Sequence, residues 1–412
     1  MKKIKHLKCS KCGRVYTEDV MYHCPVCGPS GTLDVIYDMN FVKKNLTKEY
    51  LKNCSSMDIY RYMPILPLKD ETYRVPLKVG WTPLYKAERL EKKLEIKNIY
   101  IKDDGRNPTA SFKDRATAVG IAKALELHKD VMCAASTGNA ASSLSGFAAC
   151  IGMKNYIFVP ADAPEAKITQ LLIYGSNVIL VDGNYDEAFD FCLKASEKYG
   201  WYNRSCAINP YLVEGKKTAA FEICEQLDFH VPDKVIMSVG DGCSISGVWK
   251  GFKEFYELGI IDRLPVMVSV QAEGANPVNR AFRKKAKEFD YVIPHTIADS
   301  ISVGIPRNGY KALNSLRESD GMAVDVSDEE ILEAMKMLAR YTGVFGEPAG
   351  VAGFAGLIHM TRENMIKSDE SVALIVSGSG LKDIKSAMKA VKIPEKIKPD
   401  MNDLDNYIKN IN

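Results

Sequence analysis

The stretch Asn107-Pro108-Thr109-Ala110-Ser111-Phe112-Lys113-Asp114-Arg115 joins an apolar β-type run, Ile99–Lys102, to a helical pattern over Asp114–Leu127. Asn-Pro marks a turn. Ser111 is of the type that caps helix N-termini, and Asp114 suits a first turn, where the helix dipole favours an anion. The pattern therefore sets Lys113 just inside a helix, pointing back toward the strand end. A lysine whose pKa falls by desolvation forms a Schiff base with an aldehyde cofactor. On spacing alone the same pattern also describes a solvated lysine at a helix start.

Outward from this stretch, from Trp81 onward, β-type runs alternate with helical ones. The runs are Ile99–Lys102, Val131–Ala135, Tyr156–Val159, Val178–Val181, Val235–Val239, Val266–Val270 and Val372–Val376. Between them lie helical stretches at Asp114–Leu127, Glu187–Lys198, Lys217–Leu227, Ile245–Leu258 and Asp328–Tyr341. Near-continuous apolar strands alternating with helices predict an α/β fold whose parallel sheets are covered on both faces. In such sheets ligands bind beyond the carboxyl ends of strands. The expected organisation is a small module over 1–40, a connecting arm with helical pieces over 41–80, and a catalytic region over 81–400 with a smaller lobe inserted at about 113–213. The Lys- and Asp-rich tail after Lys392 is too short for a regulatory domain.

The 412 residues are 46% apolar and 26% charged, with a net charge of +3. That balance supports a large core. It offers no basic stripe, so no nucleic-acid partner is expected. No run of about 18 apolar residues suggests a membrane span, and the lysine-rich start lacks a signal-type apolar core. Seven of the 11 cysteines are scattered through apolar segments, which fits a reducing cytoplasm.

The other four form a set. Cys9-Ser-Lys-Cys12-Gly13 is followed by Cys24-Pro-Val-Cys27-Gly28. Two CxxCG turns at this separation resemble the knuckles of a zinc ribbon, and four thiolates suit tetrahedral, structural Zn²⁺. The glycines permit the tight turns. The alternatives are a ribbon without metal or a redox pair. His23 reads as a surface residue, because the cysteines already complete the set.

The lysine stretch is similar to the Schiff-base motif of the threonine synthase family, pyridoxal-phosphate (PLP) enzymes of fold type II. The resemblance extends in family order through Ala135-Ser136-Thr137-Gly138-Asn139, Asn209-Pro210 with Glu214-Gly215-Lys216-Lys217-Thr218, Trp249-Lys250-Gly251-Phe252, Glu347-Pro348-Ala349 and Gly380-Leu381-Lys382-Asp383. It implies two parallel-sheet lobes with the active site between them, PLP on Lys113, and a small amino-acid substrate acted on by a homodimer.

By the same resemblance, the loop Gly240-Asp241-Gly242-Cys243-Ser244 would cradle the cofactor phosphate at a helix N-terminus. Asp241 and Ser244 stand where the family has asparagines, so Asp241 is expected to point away from the phosphate. Asn139 would meet the ring oxygen. Ser136, Thr137 and Gly138 would hold the substrate carboxylate. Ser377 would face the pyridine nitrogen, and Phe112 would pack near the ring or in the core.

The sequence departs from the family where the substrate phosphate binds. Ala140, Cys206, Ala207 and Leu212 replace polar residues, Leu212 an arginine, with Arg307 or Lys216 as possible substitutes. Three readings follow. The first is threonine synthase with rebuilt phosphate contacts. The second is a paralogue such as a threonine/serine dehydratase or β-replacement synthase. The third is an inactive PLP-binding subunit.

Overall fold

The computed structural model describes residues 3–19 and 22–411. Met1, Lys2, Val20 and Met21 of the expected ribbon lie outside these, as does Asn412 of the tail. In chain order the strands are β1 (Ile4–Cys9), β2 (Val15–Tyr16), β3 (Leu33–Tyr37), β4 (Leu84–Lys86), β5 (Ile99–Asp103), β6 (Val131–Ala135), β7 (Lys154–Pro160), β8 (Asn177–Val181), β9 (Tyr202–Asn203), β10 (Lys234–Ser238), β11 (Val266–Ala272), β12 (Met322–Val326) and β13 (Val372–Val376).

They form three sheets. The N-terminal ribbon has the order β2-β1-β3 and is antiparallel. The large sheet runs β12-β11-β10-β13-β5-β4, parallel except for the edge strand β4. The small sheet, β8-β7-β6-β9, is wholly parallel.

The apolar runs behave as their composition requires. Every residue of β10 and β13 is buried. Their side chains alternate between two cores. Val235, Met237, Ala373 and Ile375 join the core shared with Phe112, Val248 and Phe252. Ile236, Leu374 and Val376 join the one shared with Val351, Phe354 and Leu357 of the helix Pro348–Arg362. Helices thus cover both faces, as near-continuous apolar strands demand. The five expected helices appear at Lys113–Glu126, Tyr185–Tyr199, Thr218–Gln226, Cys243–Glu257 and Asp328–Thr342.

Two expectations need correction. Ser111 does not cap the helix that carries the lysine. That helix begins at Lys113, with Phe112 at its cap and no side-chain cap bond. Ser111 instead pairs as a β-bridge with Gly378, and its buried hydroxyl has no hydrogen-bond partner. The acid of the first turn is used locally: the Asp114 carboxylate accepts from the Thr109 amide at 2.7 Å and from the Thr109 hydroxyl. His23 is half-buried rather than a surface residue, paired with Thr32 in a β-bridge.

Strand β12 escaped the sequence reading because it lies at an edge and carries Asp325, which bonds Asn276 and Asn279 at 2.7 Å each. The 41–80 stretch packs on the helix Thr218–Gln226. Arg61 pairs with Glu225 at 2.7 Å, and the Tyr62 ring lies 5.0 Å from that of Phe221. Among the described residues no helix is long and apolar enough to cross a membrane.

Candidate active site

Lys113 and Ser377 are brought together by backbone pairing. The Phe112 amide donates to the Ser377 carbonyl at 2.9 Å, and the Ser379 amide donates to the Ala110 carbonyl at 3.0 Å. The loop before the lysine is thus zipped to the turn after β13, at the carboxyl ends of β5 and β13. The Lys113 amine is lowered to about 8. Burial is the first cause, and the Lys216 and Arg204 cations add to it against the Cys206 and Glu347 groups. A neutral amine near physiological pH is the form able to attack an aldehyde.

The loop 240–244 lies between β10 and the helix Cys243–Glu257. Gly242 occupies the cap position with φ +89°, and a Cβ there would stand 2.7 Å from the Ala312 Cβ. No side chain caps this helix, so the amide groups of its first turn are left for an anion. Asp241 does face away. Its carboxylate accepts from the Arg307 amide at 3.1 Å, and its carbonyl accepts from the Asn308 amide at 3.0 Å. Lys216, 1% exposed, approaches from the helix Pro210–Lys216 and reaches within 3.5 Å of the Ser244 hydroxyl. Cys243 is buried beneath the loop.

On the small lobe, Ser136, Thr137 and Gly138 follow β6 and lead into the helix Asn139–Ile151. The Ser136 hydroxyl accepts from the Gly138 amide at 3.2 Å. Asn139 donates to the Glu347 carboxylate at 2.6 Å. Burial pushes the Glu347 carboxyl up, opposed by Lys382, Asn139 and Lys113. Thr137, Gly138 and Asn139 from the small lobe face Glu347 and Lys382 from the large one across a cleft. Lys113, Ser377 and Ser244 are not on the walls of that cleft.

A buried charge cluster fixes the helix that carries the lysine. Arg115, two residues on from Lys113, bonds Asp104 at 2.6 Å and Glu222 at 2.8 Å. Glu222 also meets Lys102 at 2.7 Å. All four side chains are fully buried. Gly215 lets the helix Pro210–Lys216 cross at this level, since a Cβ would stand 1.9 Å from the Arg115 carbonyl oxygen.

A lysine at lowered pKa, an uncapped glycine loop with a buried cation beside it and a hydroxyl at the neighbouring strand end together fit an aldehyde cofactor bearing a phosphate. The family model for pyridoxal-phosphate dependent enzymes matches residues 75–378. A threonine synthase of Methanocaldococcus jannaschii is 45% identical over 408 residues, covering 98% of this chain and 99% of that protein. The chain belongs to the threonine synthase family of pyridoxal-phosphate dependent enzymes. A threonine synthase of Synechocystis sp. is 37% identical over 83% of this chain and 88% of its own length. Among solved structures, diaminopropionate ammonia lyase from Escherichia coli superposes with a TM-score of 0.66 at 19% identity, covering 84% of this chain and 92% of that one. Threonine deaminase isoform 2 from Solanum lycopersicum gives 0.64 at 24%, covering 76% and 88%. Those two likenesses show the fold alone, that of fold type II. This family member is a PLP-dependent lyase with two parallel-sheet lobes and an N-terminal zinc-ribbon-like module.

Within this threonine synthase fold, the non-family residues divide by location. Leu212 is fully buried and fills the slot over Gly120 of the lysine helix, so its side chain belongs to helix packing. Cys206 lies in the site. Arg204 Nη1 is 3.7 Å from its sulfur, and although burial raises the thiol, the Lys216, Arg204 and Lys113 cations outweigh it and lower its pKa. Arg307, one suggested substitute for the lost arginine, is instead engaged by Asp186 and lies 4.3 Å over the Phe189 ring. Sequence reading gave Arg204 no role, because nothing in its neighbours marks it. Only the pairing of β9 with β6 carries it to the lysine.

The four N-terminal cysteines converge. Their sulfurs all lie within 4.8 Å of one another, with Cys12 and Cys24 3.8 Å apart. Gly13 and Gly28 close the two knuckles at φ +73° and +61°. Their amides donate to the Cys9 and Cys24 carbonyls at 3.0 and 2.9 Å.

Proposed function

We propose that this enzyme is a threonine synthase, converting O-phosphohomoserine and water to threonine and phosphate. The observation that carries this reading is the match to relatives of that name over nearly the whole chain, ribbon included. PLP, when bound, supplies the aldehyde that takes up an amine and the electron sink that makes carbon–hydrogen bonds of the substrate breakable.

The chain's own residues do the rest. Lys113 would hold the cofactor, and its neutral amine would move the substrate proton. The amides of Gly240 to Ser244, the Ser244 hydroxyl and Lys216 bind the cofactor phosphate. Ser136, Thr137, Gly138 and the helix start at Asn139 receive the substrate carboxylate. Asn139, bonded to Glu347 at 2.6 Å, would meet the ring oxygen. Ser377 would meet the pyridine nitrogen with a hydroxyl, which would leave that nitrogen less protonated than a carboxylate would. Phe112, buried in the core with Arg115 at 5.8 Å over its ring, would pack near the cofactor ring. Residues 81–400 act as the catalytic region, with about 113–213 as the smaller lobe closing on it. Homodimeric assembly follows the resemblance. The seven cysteines outside the ribbon, none disulfide-bonded, support the cytoplasm as the compartment.

The test is direct. Purified enzyme with O-phosphohomoserine should release phosphate and threonine in equal amounts. Keto acid from threonine or serine, with phosphohomoserine inert, would select a dehydratase instead.

For the ribbon we propose structural Zn²⁺. Sulfurs about 2.3 Å from a tetrahedral zinc stand about 3.8 Å apart, the spacing of Cys12 and Cys24. Elemental analysis is expected to find about one zinc per chain, lost in Cys24→Ser. Protein purified without chelators that carries no zinc would remove the assignment.

A further inference from the structure

Arg204 is 2% exposed, yet among the described residues no carboxylate lies within 4.0 Å of its guanidinium. A buried guanidinium without an anion is costly, and the other buried arginines here show the usual remedy: Arg115 has Asp104 and Glu222, and Arg61 has Glu225. Arg204 has no carboxylate partner among the described residues, and its closest bonds go to a hydroxyl and a carbonyl. Nε and Nη2 donate to the Thr117 hydroxyl at 3.1 and 3.0 Å, and Nη2 donates to the Lys113 carbonyl at 3.1 Å. Nη1 faces the Cys206 sulfur, a weak acceptor. Lys216, equally buried, also lacks a carboxylate within 4.0 Å among the described residues.

The two cations are placed differently. Lys216 lies at the glycine loop, 3.5 Å from Ser244, where the cofactor phosphate belongs. Arg204 is fixed to the first turn of the lysine helix. It follows β9, whose neighbour β6 leads into Ser136–Asn139, and its amide donates to the Cys133 carbonyl of β6 at 2.8 Å. It therefore stands between the lysine and the carboxylate-binding loop, without a carboxylate of its own.

We propose that Arg204 receives the departing phosphate of the substrate, Nη1 turning from the Cys206 sulfur to the phosphate oxygens. The assignment rests on the threonine synthase reading and names the residue that makes a phosphorylated substrate acceptable despite Leu212. Its chemistry balances. The Cγ–O bond breaks with its electron pair on the phosphate oxygen, Cβ gives up a proton and Cγ gains one. Water supplies the hydroxyl on Cβ, and its remaining proton leaves with the phosphate. Arg204 offsets the charge that grows on the leaving oxygen, and Cys206 leaves room for its guanidinium.

The experiment compares the holoenzyme with Arg204→Gln and Arg204→Lys, following KM and kcat for O-phosphohomoserine, inhibition by inorganic phosphate and the visible absorbance of bound cofactor. Arg204→Gln should keep the absorbance, weaken phosphate inhibition and lower kcat/KM by about 10- to 150-fold, the loss of one charge-assisted hydrogen bond. Arg204→Lys should recover part of that loss, which removal of a purely structural contact to Thr117 would not allow. An active wild type with Arg204→Gln unchanged in KM and phosphate inhibition would overturn the assignment. So would a Lys variant as impaired as the Gln variant, or a Gln variant whose only defect is weaker cofactor retention. If Arg204→Gln does not fold, Arg204→Lys with wild-type phosphate inhibition and KM would overturn it equally, because a flexible ammonium cannot reproduce the guanidinium fork. A wild type inert toward O-phosphohomoserine would instead overturn the threonine synthase reading.

Discussion

Lys113→Ala is expected to abolish the visible absorbance of bound cofactor and to lower kcat by about 10²–10⁴ or more, since the residue is proposed both to anchor the cofactor and to move the proton. The effect should fall on kcat, because the loop Ser136 to Asn139, proposed for the substrate carboxylate, is untouched. A variant that keeps its colour and turnover would sink the assignment. The same residue predicts a pH dependence. Its amine sits at about 8 against an ordinary 10.5, through burial and the Lys216 and Arg204 cations. The reactive form is neutral, so the rate of cofactor capture by the apoenzyme should rise with pH, level off above about 8, and fall about tenfold per unit below it. Replacing Lys216 with methionine removes one of the cations that hold the proton off, and the midpoint should move upward. A midpoint that stays in place would show that Lys216 is too far from the amine to act.

The second large effect concerns stability. Glu222→Gln should destabilise the fold by about 3–5 kcal/mol, a large share of the roughly 5–15 kcal/mol that holds a typical domain together. Glu222 bridges Arg115 and Lys102 in a fully buried site. Burial alone would raise its carboxyl, but Arg115 and Lys102 override that and hold it down at about 2. Burial also lowers the Lys102 amine, so the two partners of that pair pull in opposite directions. The charged carboxylate prevails because Arg115 stays protonated at any accessible pH. The folded carboxyl is depressed, so its contribution is complete above the unfolded value near 4.5 and is lost as pH falls toward about 2. Urea unfolding of Glu222→Gln at neutral pH, and of the wild type down this acid range, measures both. An unchanged midpoint for the variant would mean that the cluster does not need the charge. Because Arg115 stands two residues from Lys113, kcat should fall alongside stability as the lysine helix loosens.

These predictions rest on different kinds of information. The β-type runs around Val235–Val239 and Val372–Val376 were legible because a strand buried on both faces must be apolar throughout, and no tertiary detail alters that. The cysteine pairs were legible because two sulfurs per knuckle, each closed by a glycine, are a local geometry. The lysine stretch was legible as a family signature, although its local physics was misread. Ser111 looks like a helix cap but spends its backbone on pairing with Gly378, and that choice depends on a strand more than 260 residues away.

The fold class and the cofactor chemistry therefore could be read from the sequence, with Lys113 as the proposed anchor. What surrounds it could not. Leu212 looked like a lost phosphate ligand, but its side chain fills the groove over Gly120, a fact of helix packing. Arg204 carries no local signature. It becomes a candidate only when β9 pairs with β6 and the burial of its guanidinium without a carboxylate can be seen. Periodicity and short motifs record what each segment needs from its immediate neighbours. The balance of buried charge around a substrate is a sum over strands and helices distant in sequence, and only the folded chain performs it.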